Sequence, residues 1–312
     1  MATFYSNFLK SYEDFYKFDF VSGTPFQVTA KSNKKEENGK KHSFEQKLTF
    51  DNTEEGNGLK LGSELKVKAS CEKSKFEAKI TPNKVKIEKT CTPPQVNNDT
   101  TEGSFMGRLE YKAGDETPDL TAGFTYGLPK LNDDVSVYFE GNVTYKGLKD
   151  LKGEFTTLSS YQNKFFIGSE VIGDLKTQKP SSIHGVAAAD LDGSFVYMKH
   201  DCINHLAKLG FSTKKLDQFD TFAAETQVAV KQEGPLQDRT TTTVAFSKAL
   251  SDDFTVKGKF DITKKVHAEF SWIHKINDNF KITFSDRLNP VGIFTEPAKE
   301  KYELGIAFEG IF

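Results

Sequence analysis

The chain lacks several features that would place it in a common class of protein. It contains no run of about 18 apolar residues, which argues against a membrane-spanning helix. Its three cysteines, Cys71, Cys91 and Cys202, are odd in number and widely spaced, a pattern that indicates reduced thiols. No charged segment followed by an apolar one opens the chain, so we expect no secretory export. The formal net charge of -2 gives no general case for nucleic acid as a partner.

Sequence motifs of the common enzymes and cofactor-binding proteins are also missing. The sequence has no GxxxxGK[ST] phosphate loop, no GxGxxG after a strand, no HExxH and no GxSxG. One cluster, His200-Asp201-Cys202 with His205, has metal-binding residue types, but no second pair of ligands accompanies it. We therefore expect a polar turn there, and we expect no metal, no cofactor and no enzymatic activity.

Alternation of apolar and polar residues is the dominant pattern, and it predicts β-strands along almost the whole chain. Between Leu59 and Ala69, for example, leucine and valine alternate with lysine and glutamate. Turn residues separate such runs, which gives about 19 segments of roughly 7 to 12 residues. Three short segments, near 183–190, 194–199 and 205–211, are the least regular. The fold class is predicted to be all-β.

Two features favour a transmembrane β-barrel over soluble β-sandwich domains, which remain the alternative. Consecutive strands carry lysine and glutamate on the polar face, as expected for a water-filled lumen. The apolar face is rich in large side chains and has aromatic residues near predicted strand ends, where an interfacial girdle would lie. These girdle candidates are Tyr111, Tyr126, Tyr145 and Tyr302.

The first residues follow a different period. Aromatic and leucine side chains recur every three or four residues from Phe4 to Tyr16, which predicts an amphipathic helix that ends before Gly23 and Pro25. Such a helix could lie on a membrane surface, cap a soluble sheet or dock inside a barrel, and a following barrel favours docking in the lumen. We divide the chain into residues 1–24, the helix and hinge, and residues 25–312, the barrel.

With these elements in place, the chain resembles the mitochondrial porins, the voltage-dependent anion channel family. The shared layout is a short amphipathic helix, about 19 strands and an end within the last strand. Residues 26–32 are similar to the family's first strand, and 58–60 and 147–149 are similar to its Gly-Leu-Lys triplet. Glu303, Gly305 and Phe308 match the mitochondrial sorting signal of β-barrels, although Gly310 stands where that signal has a hydrophobic residue.

The resemblance implies a voltage-gated channel of the outer mitochondrial membrane. Its solutes would be anions and small hydrophilic metabolites such as ATP, ADP and phosphate. Its other partners would be membrane lipid and, as an option, further copies of the chain or other outer-membrane proteins. A porin-like protein-import pore and a porin-like structural subunit of a larger membrane complex are the alternatives that remain open. An odd number of strands would also require one parallel pair at closure, near Phe26 and Leu304.

Selectivity in such a pore follows the charges that line its lumen. Strand alternation predicts a basic lining that exceeds the acids Glu64, Glu77, Glu88 and Glu110 on the same strands. The predicted basic lining residues are Lys60, Lys66, Lys68, Lys75, Lys79, Lys84, Lys86, Arg108 and Lys112. If the helix docks inside, as the resemblance implies, Lys10 and Lys17 add to this lining. We expect a locally positive wall that attracts anionic metabolites.

Overall fold

The computed structural model describes most of the barrel region of the chain. The described residues are 15, 26–32, 35–37, 39–52, 59–92, 101–129, 131, 134–147, 149–231, 235–262, 266–288 and 302–311. The predicted helix and hinge at 1–24, with Lys10 and Lys17, lie outside this set apart from Phe15. Among the described residues, no helix is both long and apolar enough to cross a bilayer.

Twenty strands and one short 3-10 helix, η1 at Leu236–Asp238, make up the described secondary structure. The strands are β1 Phe26–Lys31, β2 Lys35–Glu37, β3 Lys40–Asn52, β4 Leu59–Cys71, β5 Ser74–Thr81, β6 Lys84–Cys91, β7 Glu102–Lys112, β8 Asp119–Leu128, β9 Val135–Lys146, β10 Asp150–Tyr161, β11 Phe165–Asp174, β12 Lys179–Asp190, β13 Ser194–Asp201, β14 Leu206–Thr213, β15 Thr221–Ala229, β16 Thr240–Ser251, β17 Phe254–Ile262, β18 Val266–Asn277, β19 Phe280–Leu288 and β20 Tyr302–Ile311. The all-β prediction is confirmed. The three least regular segments are strands β12, β13 and β14.

The strands form one closed barrel of 19 strands. β1 and β2 pair with successive parts of β3 and therefore count as one interrupted barrel strand. From β3 to β20 each strand pairs antiparallel with the next, and β20 then pairs parallel with β1, with Gln27 opposite Ala307. This parallel closure is the one that the odd strand number predicted.

Local chemistry explains the tight connections between the strands. β12 and β13, for example, are joined by a two-residue turn at Asp192 and Gly193, whose φ angles are 49° and 94°. Asp-Gly at these two positions is typical of a type I′ turn, which matches the right-handed twist of the flanking strands. Leu191 and Ser194 close the turn with reciprocal backbone hydrogen bonds of 2.7 and 3.3 Å.

Successive residues of each strand point to opposite faces of the barrel wall. The pairing between strands joins residues of the same face, so two sets of alternate positions extend around the entire barrel. Most of the buried side chains in the described strands, including Tyr138, Leu158 and Tyr197, belong to one set of alternate positions, and Ala268 and Thr213 are the exceptions. The inner surface of a closed sheet is concave and its side chains are crowded, so this set faces the lumen. The other set faces outward.

Candidate pore lining

The outward face is apolar and exposed, as contact with lipid requires. Its large exposed side chains include Phe44, Leu61, Phe76, Ile80, Ile87, Phe105, Leu109, Tyr111, Leu120, Phe124, Tyr126, Phe139, Phe155, Phe165, Ile167, Met198, Leu209, Phe284 and Leu304. In the described strands, the charged residues at outward positions, Lys35, Glu37, Lys40, Lys89, Lys248 and Asp286, all lie within three residues of a strand end. The apolar band is therefore continuous at mid-height and bordered by polar groups.

Aromatic residues border this band as the sequence predicted. Tyr111 and Tyr145 each lie one residue from a strand end, and Tyr126 lies two residues from one, all at outward positions. Tyrosine is favoured at this depth because its ring is apolar and its hydroxyl reaches the headgroups. The side chain of Tyr302, the fourth predicted member, lies outside the described set.

The inward face of β1 to β7 carries more bases than acids among the residues whose side chains are described. The eleven bases are Lys31, Lys41, Lys47, Lys66, Lys68, Lys75, Lys79, Lys84, Lys86, Arg108 and Lys112. The six acids are Glu45, Glu64, Glu77, Glu88, Glu102 and Glu110. We call this surface the basic wall.

Ion pairs cross neighbouring strands of the basic wall, and single carboxylates are shared. Glu77 lies 3.2 Å from Lys66 Nζ and 3.5 Å from Lys68 Nζ. Glu88 lies 2.8 Å from Arg108 Nε and 3.2 Å from Lys86 Nζ. Each carboxylate offsets one of the two bases that it binds, so positive charge remains.

The predicted basic lining residues on β4 to β7 stand at inward positions. Those that belong to the ion-pair network are Lys66, Lys68, Lys79, Lys84, Lys86, Arg108 and Lys112. Glu110 is shared by Lys84 Nζ at 2.8 Å and Lys112 Nζ at 3.7 Å, and Lys79 Nζ lies 2.8 Å from Glu64. Lys60 is placed by its backbone alone, opposite Asp51 in the β3–β4 ladder. Their effect on ion selectivity stays a prediction, as does the sorting role of Glu303, Gly305 and Phe308, all three within β20.

A recess of about 570 Å³ opens among the side chains of the basic wall. Lys31, Lys41, Lys66, Lys68 and Lys75 line it, together with three glutamates. A solute in this recess would lie close to several ammonium groups of the basic wall.

The inward face of β8 to β13 has the opposite charge, which the sequence interpretation missed. Its eight acids are Asp119, Glu140, Asp150, Glu154, Glu170, Asp174, Asp190 and Asp201. Its four bases are Lys146, Lys152, Lys179 and Lys199. We call this surface the acidic wall. The alternation of apolar and polar residues could have revealed these acids, because Glu140, Glu154 and Glu170 all stand at positions of the polar face.

His184 is at the centre of a polar network on the acidic wall. Its Nδ1 lies 2.6 Å from Glu170, and its Nε2 lies 2.9 Å from Asp201. Lys199 Nζ is 3.8 Å from the same glutamate. Glu140 accepts a hydrogen bond of 3.2 Å from Thr156. One imidazole is thus shared by two carboxylates, the reverse of the pattern on the basic wall.

An apolar cluster lies on the lumen side between strands β9 and β15. Tyr138, Leu158, Val186, Tyr197 and Ala223 are each at most 3% exposed. Phe15, the one described residue of the predicted helix, packs against this cluster. The contact places Phe15 inside the barrel.

The His200-Asp201-Cys202 cluster forms part of a turn. Asp201 Oδ1 accepts hydrogen bonds of 2.9 Å from the backbone N–H groups of Ile203 and Asn204. Its carboxylate is therefore used in capping the turn. The part of the chain that the structure describes contains no group of three or more His, Cys, Asp or Glu side chains arranged to hold a metal ion.

No protein-family model matches the chain, and no curated protein matches it in sequence. Its class therefore follows from the structure alone. A closed barrel with an apolar exterior and a charged interior is a membrane β-barrel, and its 19 strands make it a pore of the outer-membrane type.

Proposed function

We propose that this protein is a channel of the outer mitochondrial membrane through which small hydrophilic solutes diffuse passively. The observation that carries this proposal is the division between an apolar outer face and a charged, ion-paired inner face around a closed barrel. With strands about 4.8 Å apart and tilted by about 40°, 19 strands give a backbone diameter of about 38 Å. Barrels of 16 to 18 strands already enclose an aqueous channel, so this lumen is wide enough for hydrated metabolites.

The basic wall supports passage of anionic metabolites such as ATP, ADP and phosphate. Charged groups on a low-dielectric wall raise the local concentration of ions of opposite sign. The recess bordered by Lys66, Lys68 and Lys75 brings several ammonium groups to one part of the lumen. A polyvalent phosphate would gain more from these groups than a monovalent anion does, because its interaction scales with its charge.

The experiment is a planar-bilayer recording of the chain refolded in detergent, under a KCl gradient, joined to an ATP flux assay in liposomes. We expect large conductance steps, ATP efflux and a reversal potential displaced from zero toward the equilibrium potential of chloride. Lys66→Gln with Lys68→Gln should move the reversal potential toward potassium. The matched control Lys89→Gln removes a lysine from the outer face and should leave it unchanged.

Two further parts of the proposal rest on the resemblance to mitochondrial porins. Voltage gating predicts that conductance falls at large applied voltage of either sign. The outer mitochondrial location predicts that a fluorescent fusion reaches that membrane and resists carbonate extraction. A fusion that inserts in another membrane contradicts the proposed location but leaves the pore intact.

The import-pore and structural-subunit hypotheses make different predictions in the same system. An import pore should be blocked by a basic amphipathic presequence peptide added to one side, at concentrations that leave a neutral analogue without effect. A structural subunit should co-purify with a fixed set of other proteins and should conduct poorly when isolated. Conductance of the isolated chain without peptide block supports the metabolite channel.

A further inference from the structure

The two walls of the lumen carry net charges of opposite sign and occupy separate sectors of the barrel. The basic wall extends over β1 to β7 and is centred near β5, and the acidic wall extends over β8 to β13 and is centred near β11. Six of the barrel's 19 inter-strand steps separate these centres, which is about a third of the circumference. On a diameter of about 38 Å, their backbones are about 30 Å apart.

The local ion pairing preserves this separation. On the basic wall a carboxylate such as Glu77 is shared by two bases, Lys66 and Lys68, so each such group keeps an excess positive charge. On the acidic wall the imidazole of His184 is shared by Glu170 and Asp201, and Lys199 lies 3.8 Å from Glu170, so this group carries no excess positive charge. The six other acids of that wall outnumber its three other bases. Internal ion pairs therefore reduce each wall's charge without reversing its sign.

Screening decides whether the two walls act together or separately. The Debye length is about 8 to 10 Å at 0.10 to 0.15 M salt. Side chains bring the charged groups to roughly 20 Å apart across the lumen, which is about two Debye lengths. At physiological salt each wall therefore collects its own counterions with little influence from the other.

We infer that the pore carries anions along the basic wall and cations along the acidic wall, as two parallel paths within one lumen. This inference rests on the proposed pore function and adds a division of labour to it. A wild-type pore of this kind has only weak selectivity between potassium and chloride, because both paths conduct. Its selectivity becomes strong when one path is blocked.

The test uses compact multivalent ions as blockers in the planar bilayer at 0.15 M KCl. Hexaamminecobalt(III), a trivalent cation, should bind to the acidic wall, reduce the potassium current and move the reversal potential toward chloride. Inorganic triphosphate should do the reverse through the basic wall. Two separate paths predict that the current of the other ion stays the same with each blocker. A single averaged lumen predicts instead that each blocker alters both currents, because a bound multivalent ion changes the potential of the whole lumen.

Variants assign each path to its wall. Glu154→Gln with Glu170→Gln should abolish the effect of hexaamminecobalt(III) and leave that of triphosphate. Lys66→Gln with Lys68→Gln should have the opposite outcome. The wild-type recordings alone decide the inference if a variant fails to refold, since they compare two blockers on one protein. Channels in which each blocker also changes the current of the other ion overturn the two-path inference alone, whereas absence of channels from folded wild-type protein overturns the proposed function as well.

Discussion

Replacement of Phe124 by lysine tests the outward facing of β8 directly. Phe124 is the sixth of ten residues in the strand, is 41% exposed and lies at an outward position. In a membrane this places it near mid-height of the apolar band. A lysine near the bilayer midplane of a β-barrel costs about 2 to 4 kcal/mol of stability.

The neighbouring residue supplies the comparison. Thr125 faces the lumen, where its hydroxyl lies 2.9 Å from that of Ser104. Lysine at 125 loses this hydrogen bond, worth about 1 kcal/mol, but keeps its charge in water. The two variants should therefore differ by about 2 kcal/mol, with Phe124→Lys the less stable. Phe124→Leu gives the effect of losing the ring, which packs over Gly141.

The assay is reversible denaturant unfolding of the refolded protein in lipid vesicles, with intrinsic fluorescence and heat-modified gel mobility as probes. Equal destabilisation by the two lysines, or a greater effect at 125, would refute the facing of β8. The cross-strand pairing links the inward positions of every strand into one set around the whole barrel. That result would therefore also reverse the assignment of the charged face to the lumen.

Two further substitutions follow from the packing and charge of the lumen. Gly210→Ala should destabilise the barrel by about 1 to 3 kcal/mol, because a Cβ there would lie 2.1 Å from the ring of Tyr197, which is 2% exposed. The control in the same unfolding assay is Gly107→Ala, because a Cβ at 107 would have no heavy atom within 4 Å. Glu88→Gln should move the reversal potential toward chloride and change stability by less than about 1 kcal/mol, because it removes a carboxylate shared by two bases of the basic wall. A shift toward potassium would contradict the charge assignment.

Most of the strand layout was predictable because strand alternation is a local property. The alternation from Leu59 to Ala69 specifies β4 and its two faces without reference to any neighbour. The parallel closure also followed, since an odd number of strands in a closed up-and-down barrel leaves one parallel pair. The interruption between β1 and β2 was not predicted, because it becomes visible only when both are paired with β3.

The acidic wall was missed for a different reason. Glu140, Glu154 and Glu170 are far apart in sequence, and they become neighbours only through the registers of β9, β10 and β11. Register along a barrel depends on hairpin geometry and on bulges such as the one at Ile172 and Gly173, which short-range patterns do not encode. The basic residues were easier to predict because several of them alternate within a single strand, as Lys66 and Lys68 do in β4.

The contact between Phe15 and the lumenal apolar cluster bears on the prediction for the N-terminal segment. Tyr138, Leu158 and Tyr197 are large apolar or aromatic groups on a face that is otherwise polar. Side chains of this kind at inward positions of a water-filled lumen need an apolar partner, and Phe15 provides one. The extent and boundaries of the helix at 1–24 stay a prediction.

Single-channel recording of the detergent-refolded chain in a planar bilayer, under an asymmetric KCl gradient, tests the central claim most directly. An aqueous pore with a charged lumen predicts large, discrete conductance steps and a small reversal potential on the chloride side. Large steps that favour potassium would retain the pore and contradict the anion preference. An absence of steps, from protein that stays folded and monodisperse without detergent, would contradict the membrane barrel itself.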